Sequence, residues 1–256
     1  LVENGPVRAT LRKEYRWGKS RFITDISLYA GYEWVEIRLK IDWNEKETLA
    51  RLCIEPNLSE VTYRRYGIPF GYENATGKEK EIPVVGWAAI GNADMGIAII
   101  DRDRPGHTFM EDMLRVSVVR CSTRPFDPCS DSGEISTCFR IVPYEGSFET
   151  SGVPAIAGEF HHPPIAWQAG YKIDSHNTNN NSSNNSNNSS DNGQCFMPLM
   201  LEGNGIVTSS FKVAENRDGY ILRLYESLGK ITKATVYLGK EFSNCKVYET
   251  NLLEGE

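Results

Sequence analysis

A chain of 256 residues is long enough for one large β domain or two smaller domains. Its 40% hydrophobic and 24% charged residues are typical of a globular protein. The net charge of −6 gives a polyanion little electrostatic reason to bind, and no apolar run approaches the roughly 18 residues of a membrane helix. These totals argue against nucleic-acid and membrane partners.

The first half of the chain alternates apolar and polar residues with period two. FITDISLY and EWVEIRLKIDW predict two strands joined at Ala30-Gly31, since glycine tolerates the positive φ of a tight turn. VVGWAAIGNADMGIAIID predicts a hairpin, LRVSVVRC another strand, and STCFRIVPY a strand that stops at Pro143. No segment carries helical periodicity beyond a turn or two. The pattern predicts an all-β fold built as a β-sandwich.

The composition changes sharply at residues 176–193, which contain no apolar side chain. Such a tract cannot bury surface to offset its ordering entropy, so we interpret it as a solvated linker. After it, GIVTSSFKVAENRDGYILRLYESLGKITKATVYLG predicts three strands and CKVYETNLLEGE a last one. The predicted domains are a large β-sandwich over 1–168, an Asn/Ser-rich linker or loop over 169–194, and a small C-terminal β-sandwich over 195–256.

The cysteines and histidines offer no metal site. None of the six cysteines falls in a CxxC pair, which argues against structural zinc. Cys129 and Cys138 could close a loop around SDSGEIST, but reduced, buried thiols are the favoured interpretation. His161 and His162 would point in opposite directions on an extended chain, so this pair is interpreted as a polar linker before Pro-Pro.

Five segments together resemble a known family. VENGPVRATLRKEYRWGKSRFITDISLYAG, EIRLKIDWNE, GWAAIGNADMGIAIID, MLRVSVVRC and GYILRLYESLGKITKATV resemble, in order and spacing, the C-terminal β region of glycoside hydrolase family 38 α-mannosidases. The similarity is greatest to the microbial and cytosolic or vacuolar branch. It runs from about residue 2 to residue 254 and is interrupted by the Asn/Ser tract. The ordered series carries the resemblance, since no single motif in it is catalytic.

The resemblance implies a galactose-mutarotase-like supersandwich followed by a small β-sandwich. In the family an N-terminal catalytic domain of the same chain precedes this region. That domain supplies the Asp nucleophile and the Asp and His ligands of Zn²⁺ for retaining hydrolysis of terminal α-linked mannose. We therefore expect no catalytic residue and no metal ligand in this chain, which alone should be inactive. An α-mannoside or oligosaccharide substrate is also implied. The compartment stays open, with a cytoplasmic location favoured, and a homo-oligomer stays open as well.

The acidic residues agree with this expectation. A retaining glycosidase needs two carboxylates about 5 to 5.5 Å apart, one of them protonated. Among the 34 acidic residues here, nearly all fall on outward strand positions or in turns, and no pair is marked by the sequence as coupled. A free-standing carbohydrate-binding module of a sugar-processing protein is the alternative function. A sugar epimerase ranks last, because the sequence marks none of the four histidines as standing in an obvious strand-face position beside a carboxylate.

Arg120 is the candidate substrate-binding residue. It ends the strand LRVSVVR and shares a predicted inward face with Val116 and Val118, which places its guanidinium at the strand's exit. The resemblance implies that such a strand-end arginine approaches the sugar site beside the catalytic domain. The following CSTRPFDPCSDSG departs from the family pattern, so a salt bridge within the sandwich or at a domain interface is an equal alternative.

Several other side chains receive structural interpretations. IDRDRPGH, residues 100–107, is predicted to be a solvated turn that leaves His107 in a loop, with a loop facing the catalytic domain as the alternative. Trp43 is predicted to lie in the core, and Trp34 to face outward over an interdomain surface. Lys212 and Glu226 are predicted to form an ion pair between neighbouring strands.

Overall fold

The computed structural model describes residues 1–76, 80–121, 131–165 and 199–255. The larger, N-terminal part consists of strands and one helix. Its strands are β1 (Glu3–Asn4), β2 (Arg8–Trp17), β3 (Ser20–Tyr29), β4 (Val35–Trp43), β5 (Leu49–Ile54), β6 (Tyr63–Ile68), β7 (Gly71–Asn74), β8 (Glu81–Pro83), β9 (Trp87–Gly91), β10 (Met95–Asp101), β11 (Gly106–Phe109), β12 (Leu114–Arg120) and β13 (Gly133–Glu145). A 3-10 turn at Phe148–Thr150 and helix α1 (Val153–His161) follow.

Two antiparallel sheets form the large sandwich. Nine strands pair in the order β1-β2-β3-β4-β13-β10-β9-β6-β7, and four pair in the order β5-β12-β11-β8. Period-two alternation turns one face of each sheet toward the other, so Ile41, Trp43, Ile99, Leu114 and Phe139 are buried together. The all-β prediction is confirmed, and Trp43 lies in the core as predicted.

The predicted connections in this part are mostly present. Gly31 adopts a φ of 79° between β3 and β4, and Ile90 pairs with Ile97 in the predicted β9–β10 hairpin. Strand β13, however, continues through Pro143 rather than stopping there. Pairing with β4 ends at Ile141, so Pro143 has a neighbouring strand, β10, on one side only. The N–H that proline lacks is therefore not needed for a hydrogen bond to β4.

A second core lies on the outer face of the nine-stranded sheet, under helix α1. Val153, Ala157 and Phe160 are spaced i, i+4 and i+7 and pack on the small side chains Ala89 and Ala98. This cover explains why β9 is buried on both faces. Helix α1 was not predicted, because three apolar positions in nine residues are too short a pattern to distinguish from a loop.

The smaller, C-terminal part contains two two-stranded sheets. Its elements are β14 (Leu199–Glu202), β15 (Ile206–Val213), β16 (Tyr220–Glu226), β17 (Thr235–Leu238) and a 3-10 turn at Lys240–Phe242. Strand β14 pairs with β17 and β15 with β16, whereas the strand predicted in CKVYETNLLEGE is absent from the described residues there. The part packs on the large sandwich through Leu228, buried in the second core, and through a ring contact between Tyr225 and Phe70.

The division into three domains remains a prediction, and its linker, 169–194, lies outside the described residues. Within the described ranges, no helix has the length and apolar character needed to cross a membrane.

Candidate functional site

A cleft of about 510 Å³ opens on the four-stranded sheet, where β12 ends and β11 begins. Charged and small polar side chains dominate its lining. Its lining includes Glu81, Asp103, Arg104, Gly106, Ser117 and Arg120. The cleft thus contains the candidate residue Arg120.

A β-bulge sets the direction of Arg120. In the pairing of β12 with β5, Ser117 lies opposite Arg51 and Val119 opposite Ala50, so Val118 is the extra residue. Val118 and Val119 both enter the core as a result, and Arg120 becomes exposed. The predicted shared face with Val116 and Val118 was therefore wrong. Arg120 instead lines the cleft with Ser117, which brings its guanidinium to an open surface.

The segment before β11 is tied down by a buried histidine. His107 is fully buried, and its Nε2 lies 3.1 Å from Asp101 Oδ2 and 3.1 Å from the Arg104 carbonyl oxygen. Because Nε2 faces two acceptors, it carries the proton. Asp101 Oδ1 also accepts the Arg104 backbone N–H at 2.7 Å. The prediction of a solvated turn with a loop histidine was therefore wrong, since His107 belongs to the inner face of β11.

The His107–Asp101 contact fixes the loop that carries Asp103 and Arg104 into the cleft. Thr137 on β13 donates to Asp103 Oδ1 at 2.5 Å, so the loop is held from the nine-stranded sheet as well. Arg104 Nε is buried without a hydrogen-bond partner and lies 3.8 Å from Asp103 Oδ1. Within the described ranges this Nε therefore has the Asp103 carboxylate as its nearest acceptor, and the pair holds the Arg104 side chain on the cleft wall.

The opposite wall of the cleft is formed by Glu81 on β8, whose carboxylate extends across β11 to β12. Ser117 donates to Glu81 Oε2 at 2.6 Å, and Arg51 lies 4.0 Å from the same oxygen. Gly106 makes this possible, because a Cβ there would come within 3.0 Å of Glu81 Oε1. Glu81 is therefore fixed as an acceptor on the wall facing the loop.

The cleft offers fixed donors and acceptors of the kind that bind hydroxyl groups. Arg104 and Arg120 supply N–H donors, while Glu81 and Asp103 supply carboxylate oxygens. Among the described residues, no three His, Cys, Asp or Glu side chains are grouped so that they could hold a metal ion. These residues do not fit a zinc site, and they surround the cleft as hydrogen-bonding groups held in place by Ser117 and Thr137.

Trp34 and the histidine pair lie away from the cleft. Trp34 is only 6% exposed and is covered by Arg140, whose guanidinium carbon lies 4.0 Å from the ring centre. It points outward from the sandwich, as predicted, but belongs to the second core rather than to an open surface. His161 ends helix α1 and His162 caps it, so they are not an extended linker.

The ion pair predicted between Lys212 and Glu226 was also wrong. The two residues lie at opposite ends of the β15–β16 hairpin. Lys212 Nζ lies 2.8 Å from Glu254 Oε1, whereas Glu226 accepts the backbone N–H groups of Leu228 and Lys230. Both residues have structural roles, but with other partners.

Four cysteines within the described ranges, Cys53, Cys121, Cys138 and Cys245, are free thiols. Cys53 and Cys245 are exposed rather than buried. Cys129, the possible partner of Cys138, lies outside the described residues.

Two family models match the sequence in chain order. The model described as the glycosyl hydrolases family 38 C-terminal domain matches residues 1–127. The model described as the glycosyl hydrolases family 38 C-terminal beta sandwich domain matches residues 205–256. Together they cover more than half of the chain, with one match in the larger N-terminal part and one in the smaller C-terminal part.

Longer proteins with related sequences support the same assignment. Alpha-mannosidase G of Dictyostelium discoideum is 22% identical over 245 residues, which are 91% of this chain and 21% of that protein. Alpha-mannosidase 2C1 of Mus musculus is 23% identical over 158 residues, 59% of this chain and 15% of that protein. The chain thus spans about a fifth or less of the length of these relatives.

A solved structure shows the same fold. A protein of glycosyl hydrolase family 38 from Enterococcus faecalis superimposes with a TM-score of 0.66 over 86% of this chain and 25% of that chain. Its sequence identity is 11%, so the likeness is one of fold.

Proposed function

Because the chain belongs to glycoside hydrolase family 38, as the C-terminal β region of that family, we propose that it is the non-catalytic β part of an α-mannosidase. The match of both family models, in the order in which they occur along the chain, carries this proposal. In the intact enzyme, the catalytic domain on the preceding polypeptide performs the retaining hydrolysis of terminal α-linked mannose. Zinc belongs to that preceding part, and a cytoplasmic location is consistent with the exposed thiols of Cys53 and Cys245.

The role of this chain is to brace the catalytic domain and to line one wall of the sugar site. The cleft beside Arg120 supports this role, because its polar groups are held by strands and by the buried His107–Asp101 contact. A rigid support keeps donors and acceptors in place before the substrate arrives. Arg120 itself is exposed and lines the cleft, and its guanidinium offers the planar set of N–H donors that suits sugar hydroxyls.

Kinetics of the full-length enzyme test the role of Arg120. Arg120→Ala is expected to lower kcat/KM for an aryl α-mannoside about tenfold or more, because a hydrogen bond to a charged group is worth about 1.5–3 kcal/mol. Arg16→Ala, an exposed arginine on β2, is the matched control and should leave kcat/KM unchanged. Equal kinetics in both variants would contradict the assignment.

A free-standing carbohydrate-binding module is the second candidate. It is favoured by the observation that the cleft is lined with polar groups held by hydrogen bonds within this chain, such as Glu81 and Asp103. The coding sequence upstream of Leu1 separates the two functions. A long open frame with Asp and His ligand motifs supports the enzyme, and a stop codon followed by a nearby start supports the module.

A further inference from the structure

The β2–β3–β4 edge of the nine-stranded sheet has an apolar face that nothing in the described chain covers. Pairing of Tyr15 with Phe22, and of Phe22 with Ile41, places alternate residues of β2 and β3 on the same face as the core residues of β4. On this face Leu11, Tyr15, Trp17 and Leu28 are between 41% and 57% exposed. We name these four residues the apolar edge face.

The apolar edge face continues the core of the sandwich. Tyr15 stacks on the buried Phe22 with ring centres 4.8 Å apart, and Trp17 stacks on the buried Trp43 at 6.4 Å. No β2 side chain belongs to the described core itself. The four-stranded sheet therefore covers this face in the middle of the nine-stranded sheet, whereas the face is open at the β2–β3 edge.

The opposite face of the same three strands has the composition of a surface in water. Arg12 forms two hydrogen bonds to Asp25, at 2.7 and 2.8 Å, and Arg21 lies 2.7 Å from Glu14. Lys40 lies 3.0 Å from Glu134. A sheet with one charged, paired face and one aromatic face normally has the second face packed against protein.

We propose that the apolar edge face is the docking surface for the polypeptide that precedes this region in the full-length enzyme. The inference rests on the proposed function for the presence of that polypeptide, and it adds where the contact lies. The chain spans only about a fifth of the length of its relatives, so a large partner surface is available. Leu1 lies next to β1, which pairs with β2, so the preceding polypeptide arrives at this edge.

The chemistry of the covering surface follows from the side chains that it must meet. Lys13 is the single charged residue on this face of β2, and its Nζ lies 5.2 Å from the centre of the Tyr15 ring. The covering surface is therefore apolar, with one acceptor opposite Lys13. Burying the aromatic rings excludes water from the face and fixes the sandwich against its partner.

Amine labelling of the full-length protein tests the inference without any substitution. Lys13 and Lys40 lie on neighbouring parts of one sheet, on opposite faces, and both are exposed in this chain. Brief acetylation followed by peptide mass spectrometry should modify Lys13 at least about tenfold more slowly than Lys40, although Lys40 is the one with a carboxylate partner. Equal rates, or a faster reaction at Lys13, would overturn the inference.

A pair of variants gives a second test. Leu11 and Met95 are similarly exposed, at 51% and 47%, but Met95 lies on β10, outside the apolar edge face. In the full-length protein, Leu11→Glu should lower the thermal midpoint by about 4 °C or more, because it places a charge in a packed interface. Met95→Glu should shift it by less than about 1 °C. Equal midpoints would overturn the inference.

Two further measurements distinguish a failure of this inference from a failure of the proposed function. If sedimentation shows a dimer that Leu11→Glu separates into folded monomers, a second copy occupies the face and the inference is wrong. If the full-length protein does not hydrolyse an aryl α-mannoside but Lys13 is protected, the proposed function fails and the docking surface stands.

Discussion

His107 shows how much a single buried side chain contributes to the cleft. Its ring lies between the two sheets, where Nε2 contacts both Asp101 and the Arg104 carbonyl oxygen. Replacing it with leucine would leave the buried Asp101 carboxylate, among the described residues, with the Arg104 backbone N–H as its remaining partner. His107→Leu should therefore reduce the free energy of unfolding by about 2–4 kcal/mol, measured by urea denaturation of the full-length protein.

His107→Gln is the matched control, because an amide nitrogen can still donate to Asp101. It should recover part of the loss. If both variants unfold at the wild-type urea concentration, the contact does not support the loop.

At the scale of single residues, Glu149 also leads to a prediction of how the free energy of unfolding depends on pH. Burial by itself would raise the pKa of the Glu149 carboxyl, but its backbone N–H and the Arg65 guanidinium hold that pKa below the ordinary 4.5. A carboxyl with a lowered pKa stabilises the fold above its unfolded pKa, and this contribution is lost as the pH falls through the folded pKa. The Arg65 Nη1 to Glu149 Oε1 distance of 2.9 Å supports this.

Arg65→Met should remove most of this dependence. The free energy of unfolding of the wild-type protein should fall more steeply than that of the variant between about pH 5 and pH 3. Parallel curves for the two proteins would show that the ion pair does not link folding to pH. Arg65 also stacks over Tyr63, Tyr72 and Phe148, so a lower stability at neutral pH is expected as well.

At the scale of elements, the β9–β10 hairpin depends on glycines that leave room for two tyrosines. Tyr63 and Tyr144 share a hydrogen bond of 2.6 Å over this hairpin. A Cβ at Gly96 would lie 2.4 Å from Tyr144 Oη and 2.6 Å from Tyr63 Oη. Gly96→Ala should therefore destabilise the protein by about 1–3 kcal/mol in chemical denaturation.

Gly71 on β7 offers the matched control, since a Cβ there meets no atom within 4 Å. Gly71→Ala should leave the stability within about 0.5 kcal/mol of wild type. A loss as large as that of Gly96→Ala would mean that glycine flexibility, rather than the space for the tyrosines, decides the result.

The elements also show what the sequence could predict. Strict alternation in β4 requires no tertiary information, so that strand and its buried face were predictable. The bulge at Val118 and the helix α1 were not, because each depends on packing. The bulge turned Arg120 to the surface. His107, which was predicted to lie in a loop, is buried because Asp101, six residues away, supplies a hydrogen-bond partner for its ring. The sequence therefore predicted one residue of the cleft, Arg120, whereas the other residues that form the cleft were found only in the structure.

At the scale of the whole molecule, the sandwich architecture and the family could be predicted, since both depend on an ordered series of segments. The partners of surface charges could not, as Lys212 and Glu226 show, because strand register decides which side chains meet. The apolar edge face likewise became visible only when the register aligned β2 with the core residues of β4.

The central claim is that this chain supports an α-mannosidase whose reacting groups lie on other parts of the polypeptide. The most direct measurement compares turnover of an aryl α-mannoside, at equal molar concentration and with added Zn²⁺, by the full-length protein and by the 256-residue chain alone. We expect turnover that a chelator abolishes in the full-length protein, and none above the protein-free rate in the chain. Turnover by the chain at a rate comparable with that of the full-length protein would contradict the claim.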